Sequence, residues 1–86
     1  MSSMQIDFTD APQDPIERLV WLDGAKQVFD QQVQMQWQRA YFEARQTGRL
    51  EAALTLHLHS RKRIMAYTRA ENERTGRQWR WNDGRG

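Results

Sequence analysis

The sequence predicts an all-α protein: an antiparallel two-helix hairpin with flexible termini, which oligomerisation or a partner completes into a helical bundle. Three observations predict this class. A helix start signal stands at Asp14, apolar residues recur every three or four positions beyond it, and Gly48 separates this segment from a second helix-favouring one. The predicted segments are an extended arm over 1–13, helices over about 14–47 and about 49–75, and an Arg/Trp-rich tail over 76–86.

Length and composition limit the chain to one small domain. With 86 residues and 38% hydrophobic content, it can build only a modest core. Because cysteine is absent, no disulfide or thiolate metal site can brace the fold, and stability has to come from packing or assembly. The sequence has no apolar run that could span a bilayer and no secretory signal. We therefore expect a cytoplasmic protein.

The formal charge of +2 hides a strong asymmetry along the chain. Up to Gly24 the only base is Arg18, which stands among Asp7, Asp10, Asp14, Glu17 and Asp23. From Gly48 onward, arginine and lysine greatly outnumber acids. This split indicates either an anionic partner for the basic half or an attraction between the two halves, within one chain or between subunits.

The first predicted helix has a clear beginning. Asp14 at the N-cap, Pro15 at the first helical position and Glu17 two residues later form a variant of the capping box. The Asp14 side chain can accept from backbone N–H groups that lack a helical partner, and both acids lie at the positive end of the helix dipole.

Two apolar rows follow this start. The first predicts a core and consists of Leu22, Ala25, Phe29, Val33, Trp37, Ala40 and Ala44. The second, which we call the second seam, lies roughly 100° around the helix and consists of Trp21, Val28, Met35 and Phe42. One partner helix cannot cover both rows.

Gly24 lies inside the first predicted helix, where glycine costs about 1 kcal/mol relative to Ala. Either it allows a close backbone approach, or the helix bends or restarts there. We expect a continuous helix.

The second half predicts another helix, with one competing interpretation. Residues 54–59 alternate apolar and polar side chains as a half-buried strand does. We favour a helix because no turn residues bound this run and no partner strand is evident. Gly76 is the expected C-cap. One face of this helix would carry Leu50, Leu54, His57 or Leu58, Arg61, Met65 and Thr68.

The sequence predicts no catalytic, cofactor or metal site. His57 and His59 could share a metal ion on a strand, but on a helix they point about 200° apart. No carboxylate stands in a recognisable pairing with a nucleophile, and a two-helix chain offers little concave volume for shifting a pKa. We therefore do not expect an enzyme.

The excess apolar surface predicts a protein–protein interaction module, acting as an adaptor, inhibitor or assembly factor. The expected partners are a second copy of the chain, giving a homodimer or higher assembly, and another protein. The interface is predicted at Trp21, Val28, Met35, Trp37, Tyr41 and Phe42. In style the chain resembles many small phage or mobile-element accessory proteins, although no motif identifies a family.

The alternative function is binding to nucleic acid through the basic second helix and the tail. Arginine pairs with phosphates, and tryptophan stacks on unpaired bases. The residues that would make these contacts are Arg61, Lys62, Arg63, Arg69, Arg77, Trp79, Arg80 and Trp81. A membrane-surface role for the Arg/Trp tail is a third interpretation, weakened by the lack of an extended apolar face.

Overall fold

The computed structural model describes residues 6–78, and within this range all regular structure is helical, which confirms the predicted all-α class. A short 3-10 helix, Phe8–Asp10, precedes four α-helices: α1 (Pro15–Lys26), α2 (Asp30–Gln46), α3 (Leu50–Leu54) and α4 (Leu58–Thr75). The chain divides into two compact units, Met1–Gln46 and Thr47–Gly86, which we describe separately. None of the helices within residues 6–78 combines the length and apolar content that crossing a membrane requires.

The start of α1 is as predicted. The Asp14 side chain accepts hydrogen bonds from the backbone N–H groups of Ile16 and Glu17, both at 3.1 Å, and Pro15 occupies the first helical position. These bonds satisfy two of the donors that a helix N-terminus leaves without helical partners.

The prediction of one unbroken helix over 14–47 is wrong, because residues 27–29 interrupt it and α2 packs against α1. The interruption leaves few backbone groups unpaired: the N–H of Val28 and that of Phe29 both donate to the Ala25 carbonyl, at 3.0 and 2.8 Å. An ion pair between Lys26 and Asp30 spans the break. Folding back lets the apolar row of α1 cover that of α2, which a single straight helix could not do.

The position of Gly24 agrees with a restart of the helix. A Cβ built on Gly24 would meet no atom within 4 Å, so this glycine does not serve a close backbone approach. It lies two residues before the end of α1, where its low helix propensity favours termination.

Packing in the first unit buries most of the predicted core row. Leu22, Val33, Trp37, Ala40 and Ala44 are buried, whereas Ala25 and Phe29 are half-buried. The core also contains residues that the row did not include: Ile16, Leu19, Asp23 and Tyr41. Asp23 is fully buried although its side chain is acidic. The predicted extended arm is partly folded, since the N–H and hydroxyl of Thr9 donate to Asp7 at the 3-10 helix. These bonds hold the pKa of Asp7 below its usual value.

The second unit contains a break where the sequence allowed either a helix or a strand. Residues 55–57 form a turn between α3 and α4, and the Thr55 hydroxyl donates to the Ala52 carbonyl at 2.7 Å. The strand interpretation is wrong for this stretch, and the single helix over 49–75 is wrong as well. The buried positions are Leu50, Leu54, Ser60, Ile64 and Thr68, with the Thr68 hydroxyl bonded to the Ile64 carbonyl.

Gly48 and Gly76 both take the left-handed conformation, with φ of 71° and 73°, as expected for residues that end helices. Gly76 is the C-cap of α4, and Gly48 follows the last turn of α2.

The environments of Gly24 and Gly48 give opposite expectations for substitution by alanine. Gly24→Ala adds a methyl group to a helical, open position, so it should raise the free energy of unfolding by up to about 1 kcal/mol. Gly48→Ala forces a side chain into the left-handed region and should lower it by about 1 kcal/mol. Urea denaturation followed by circular dichroism measures both. A destabilising Gly24→Ala would show that the helix needs flexibility at this position.

Candidate interaction site

The second seam lies on the surface of the first unit. Val28, Met35 and Phe42 are 70%, 81% and 40% exposed, and Trp21 is half-buried. The large apolar side chains that are exposed in the described part of the chain are Val28, Met35 and Phe42 of the first unit and Leu56 and Leu58 of the second. Single exposed apolar residues are common on proteins, but a row of them is typical of an interaction surface.

The geometry of α2 explains why this row is exposed. Met35 and Phe42 lie seven residues apart, nearly two full turns, so they share one side of the helix about 10 Å apart along its axis. Val33, Trp37, Ala40 and Ala44 lie on the opposite side and are buried. Because α1 packs on that buried side, no helix among the described residues of the unit covers the Met35 and Phe42 side.

A shallow depression lies on the exposed side of α2. Its volume is about 360 Å³, and it is lined by Met35, Gln36, Gln38, Arg39 and Phe42. The lining therefore combines two large apolar side chains with two amides and one cation. This mixture suits an apolar side chain from a partner, with polar groups around the edge to pair with the partner's backbone or side chains.

Phe42 is held in place by its neighbours on α2. Its ring meets that of Tyr41 edge to face, with centroids 5.4 Å apart and planes at 65°. The Arg45 guanidinium carbon lies 5.6 Å from the centroids of both rings. Edge-to-face aromatic pairs and cation–π contacts restrict ring motion, so Phe42 offers a fixed apolar surface rather than a mobile one.

Trp37 and Tyr41, which the sequence analysis predicts as partner anchors, are 4% and 0% exposed. Their rings stack on each other with centroids 5.7 Å apart and an interplanar angle of 2°. Both side chains belong to the core of the unit. The sequence contained the signal for this, because Trp37 is also a member of the core row.

The predicted nucleic-acid residues do not share one surface. Arg61 is partly buried and pairs with Glu51, with 3.1 Å between its Nη2 atom and the carboxylate. Lys62, Arg63 and Arg69 are exposed on another side of α4, and Arg77 is exposed beyond the helix end. Trp79, Arg80 and Trp81 lie outside the described residues.

Leu56 and Leu58 are functional candidates that the sequence analysis missed. They are 87% and 65% exposed, on either side of His57 at the turn that leads into α4. In a continuous helix Leu58 would lie one turn after the buried Leu54, on the same face. The turn at 55–57 changes the helical phase, so Leu58 falls outside the core.

His57 lies in this turn and His59 lies in the first turn of α4, and both are exposed. Within residues 6–78, no three histidine, cysteine, aspartate or glutamate side chains come close enough together to hold a metal ion.

Comparison with protein-family models, with curated protein sequences and with solved structures finds no significant match to this chain. A functional assignment therefore has to be argued from the chain's own surfaces. The two that stand out are the exposed side of α2 and the leucine-bearing turn before α4.

The assignment of Trp37 to the core and Met35 to the surface predicts unequal mutational costs. Trp37→Ala should lower the free energy of unfolding by about 3–5 kcal/mol, since it removes a large buried ring and leaves a cavity. Met35→Ala should change it by about 0.5 kcal/mol or less under dilute conditions in which the chain is monomeric. Thermal unfolding followed by circular dichroism measures the two. Similar losses for both variants would contradict the assignment.

Proposed function

We propose that the protein is a non-enzymatic protein–protein interaction module, an adaptor, inhibitor or assembly factor, whose first partner is a second copy of itself. The observation that carries the proposal is the exposure of Met35 and Phe42 on one side of α2, with Val28 also exposed at the break before this helix. A unit this small has a limited core, so covering a further apolar row adds stability that the single chain lacks.

The spacing of the second seam supports pairing with an identical copy. Met35 and Phe42 lie seven residues apart on α2, and Val28 lies in the break just before this helix. If a two-fold axis passes near Met35, two α2 helices pair antiparallel, and Phe42 of each copy comes to lie opposite the N-terminal end of the other α2, next to Val28. The same surface then contacts itself, as an isologous interface requires. The depression beside Met35 and Phe42 offers room for a side chain of the second copy.

Such a dimer would complete a helical bundle. Each copy contributes α1 and α2, which already pack against each other, and the paired α2 helices would join the two copies into a four-helix arrangement. A different protein with a matching apolar helix could compete for the same surface, which is how the module would act as an adaptor or inhibitor.

The alternative function, binding to nucleic acid, has weaker support. Arg61 forms an ion pair with Glu51, and Trp79, Arg80 and Trp81 lie outside the described residues. The first unit also carries exposed acids such as Glu17 and Glu43, which would repel a polyanion.

Charge substitutions in the second seam test the proposal. Met35→Glu and Phe42→Glu would bury a carboxylate in the dimer interface, so each should weaken self-association about a hundredfold. Gln34→Glu makes a similar change one residue from Met35 but roughly 100° around the helix, and it serves as the matched control. Multi-angle light scattering over a concentration series measures association, and circular dichroism checks that the variants remain helical.

Two results would contradict self-association through this surface. One is a wild-type mass equal to that of the monomer at micromolar concentration with full helicity. The other is an equal loss of association in Gln34→Glu and the two seam variants, which would place the contact elsewhere.

A further inference from the structure

The turn between α3 and α4 presents two large apolar side chains to solvent. Leu56 is 87% exposed and Leu58 is 65% exposed. Neither is needed for the core of the second unit, in which Leu50, Leu54 and Ile64 are buried. The side chains between and beside them, His57 and His59, are exposed and polar. We call Leu56 and Leu58 the leucine turn.

The exposed side of α4 that follows the leucine turn is cationic. Lys62 lies one turn after Leu58, and Arg69 lies two turns after Lys62. Arg63 lies beside them, and the small side chains of Ala66 and Ala70 fill the intervening positions. All of these residues are exposed. We call Lys62, Arg63 and Arg69 the cationic face.

No acid lies close in sequence to this surface. Between Glu51 and Glu71 the chain contains no aspartate or glutamate. The two flanking acids are engaged: Glu51 pairs with Arg61 at 3.1 Å and Glu71 pairs with Arg74 at 2.5 Å. The exposed Lys, Arg, Asp and Glu residues between Leu58 and Ala70 are therefore all cationic, and the exposed Glu73 lies at the far end of α4.

We propose that the leucine turn and the cationic face form one docking surface for an anionic lipid membrane. The two leucines enter the boundary between headgroups and acyl chains, where burial of their apolar surface is favourable. The lysine and two arginines lie against the lipid phosphates and are attracted by the negative surface potential. Apolar insertion combined with electrostatic attraction gives reversible binding without a membrane span.

The two exposed leucines favour a membrane over a nucleic acid as the anionic partner. A phosphodiester backbone would engage the three cations equally well, but it offers no apolar environment to the neighbouring leucines. A lipid surface accounts for both features at once. The surface belongs to the second unit, so this proposal is independent of self-association through α2 of the first.

Binding of the full-length chain to vesicles tests the proposal. Cosedimentation should show binding to phosphatidylcholine vesicles that contain phosphatidylglycerol, weaker binding at high salt, and little binding to phosphatidylcholine alone. Leu56→Ser combined with Leu58→Ser should weaken binding about tenfold or more. Lys62→Gln, Arg63→Gln and Arg69→Gln together should weaken it roughly a hundredfold, about fivefold for each charge.

Arg49→Gln is the matched charge control, because it removes an exposed cation of the same unit that precedes α3 and lies outside the cationic face. It should leave vesicle binding unchanged. All substituted positions are exposed, and circular dichroism verifies that each variant keeps its helices.

Three outcomes would overturn the proposal. The first is no binding to the anionic vesicles. The second is vesicle binding that the leucine substitutions leave unchanged, which would reduce the site to a general polyanion contact; a salt-dependent mobility shift of duplex DNA, lost in the triple charge variant alone, would then identify nucleic acid as its partner. The third is a loss in Arg49→Gln as large as the average loss per charge in the triple variant, which would indicate attraction by the total charge of the chain.

Discussion

The packing of α1 against α2 is the interaction on which the first unit depends, and it also decides which surface is left open. Leu19 and Leu22 on α1 and Val33 and Trp37 on α2 become buried once the chain reverses at residues 27–29. Each such burial contributes about 1.5–3 kcal/mol, whereas the break keeps most of its backbone hydrogen bonds. Burial therefore outweighs helix continuity. Because one side of α2 packs against α1, Met35 and Phe42 on its opposite side stay exposed.

Sequence reasoning predicted those features that depend on a few neighbouring residues. The cap at Asp14, the left-handed glycines at 48 and 76, and the helical class all follow from local chemistry. The core row of α2 was predicted as well, because helical periodicity alone places those residues on one side. The same periodicity separated Met35 and Phe42 from the core, so the main part of the candidate surface was visible in the sequence.

The breaks at 27–29 and 55–57 could not be predicted in the same way. The propensity cost of Gly24, about 1 kcal/mol, is small beside the burial that a chain reversal gains, and that gain depends on tertiary packing. The second break has the larger effect on function, since it changes the helical phase and moves Leu58 out of the core while Ser60, Ile64 and Thr68 become buried. The leucine turn is therefore visible only in the structure.

If a second copy covers the Met35 side of α2, disulfide trapping detects the contact directly. The chain has no cysteine, so one introduced thiol can form a disulfide only with another molecule. Met35→Cys should yield a covalent dimer rapidly under mild oxidation, because a two-fold axis near this position brings the two thiols within bonding range. Gln34→Cys, which is also exposed but lies on another side of the helix, should react much more slowly. Equal rates, or no dimer from Met35→Cys, would show that the Met35 side of α2 is not the contact between copies.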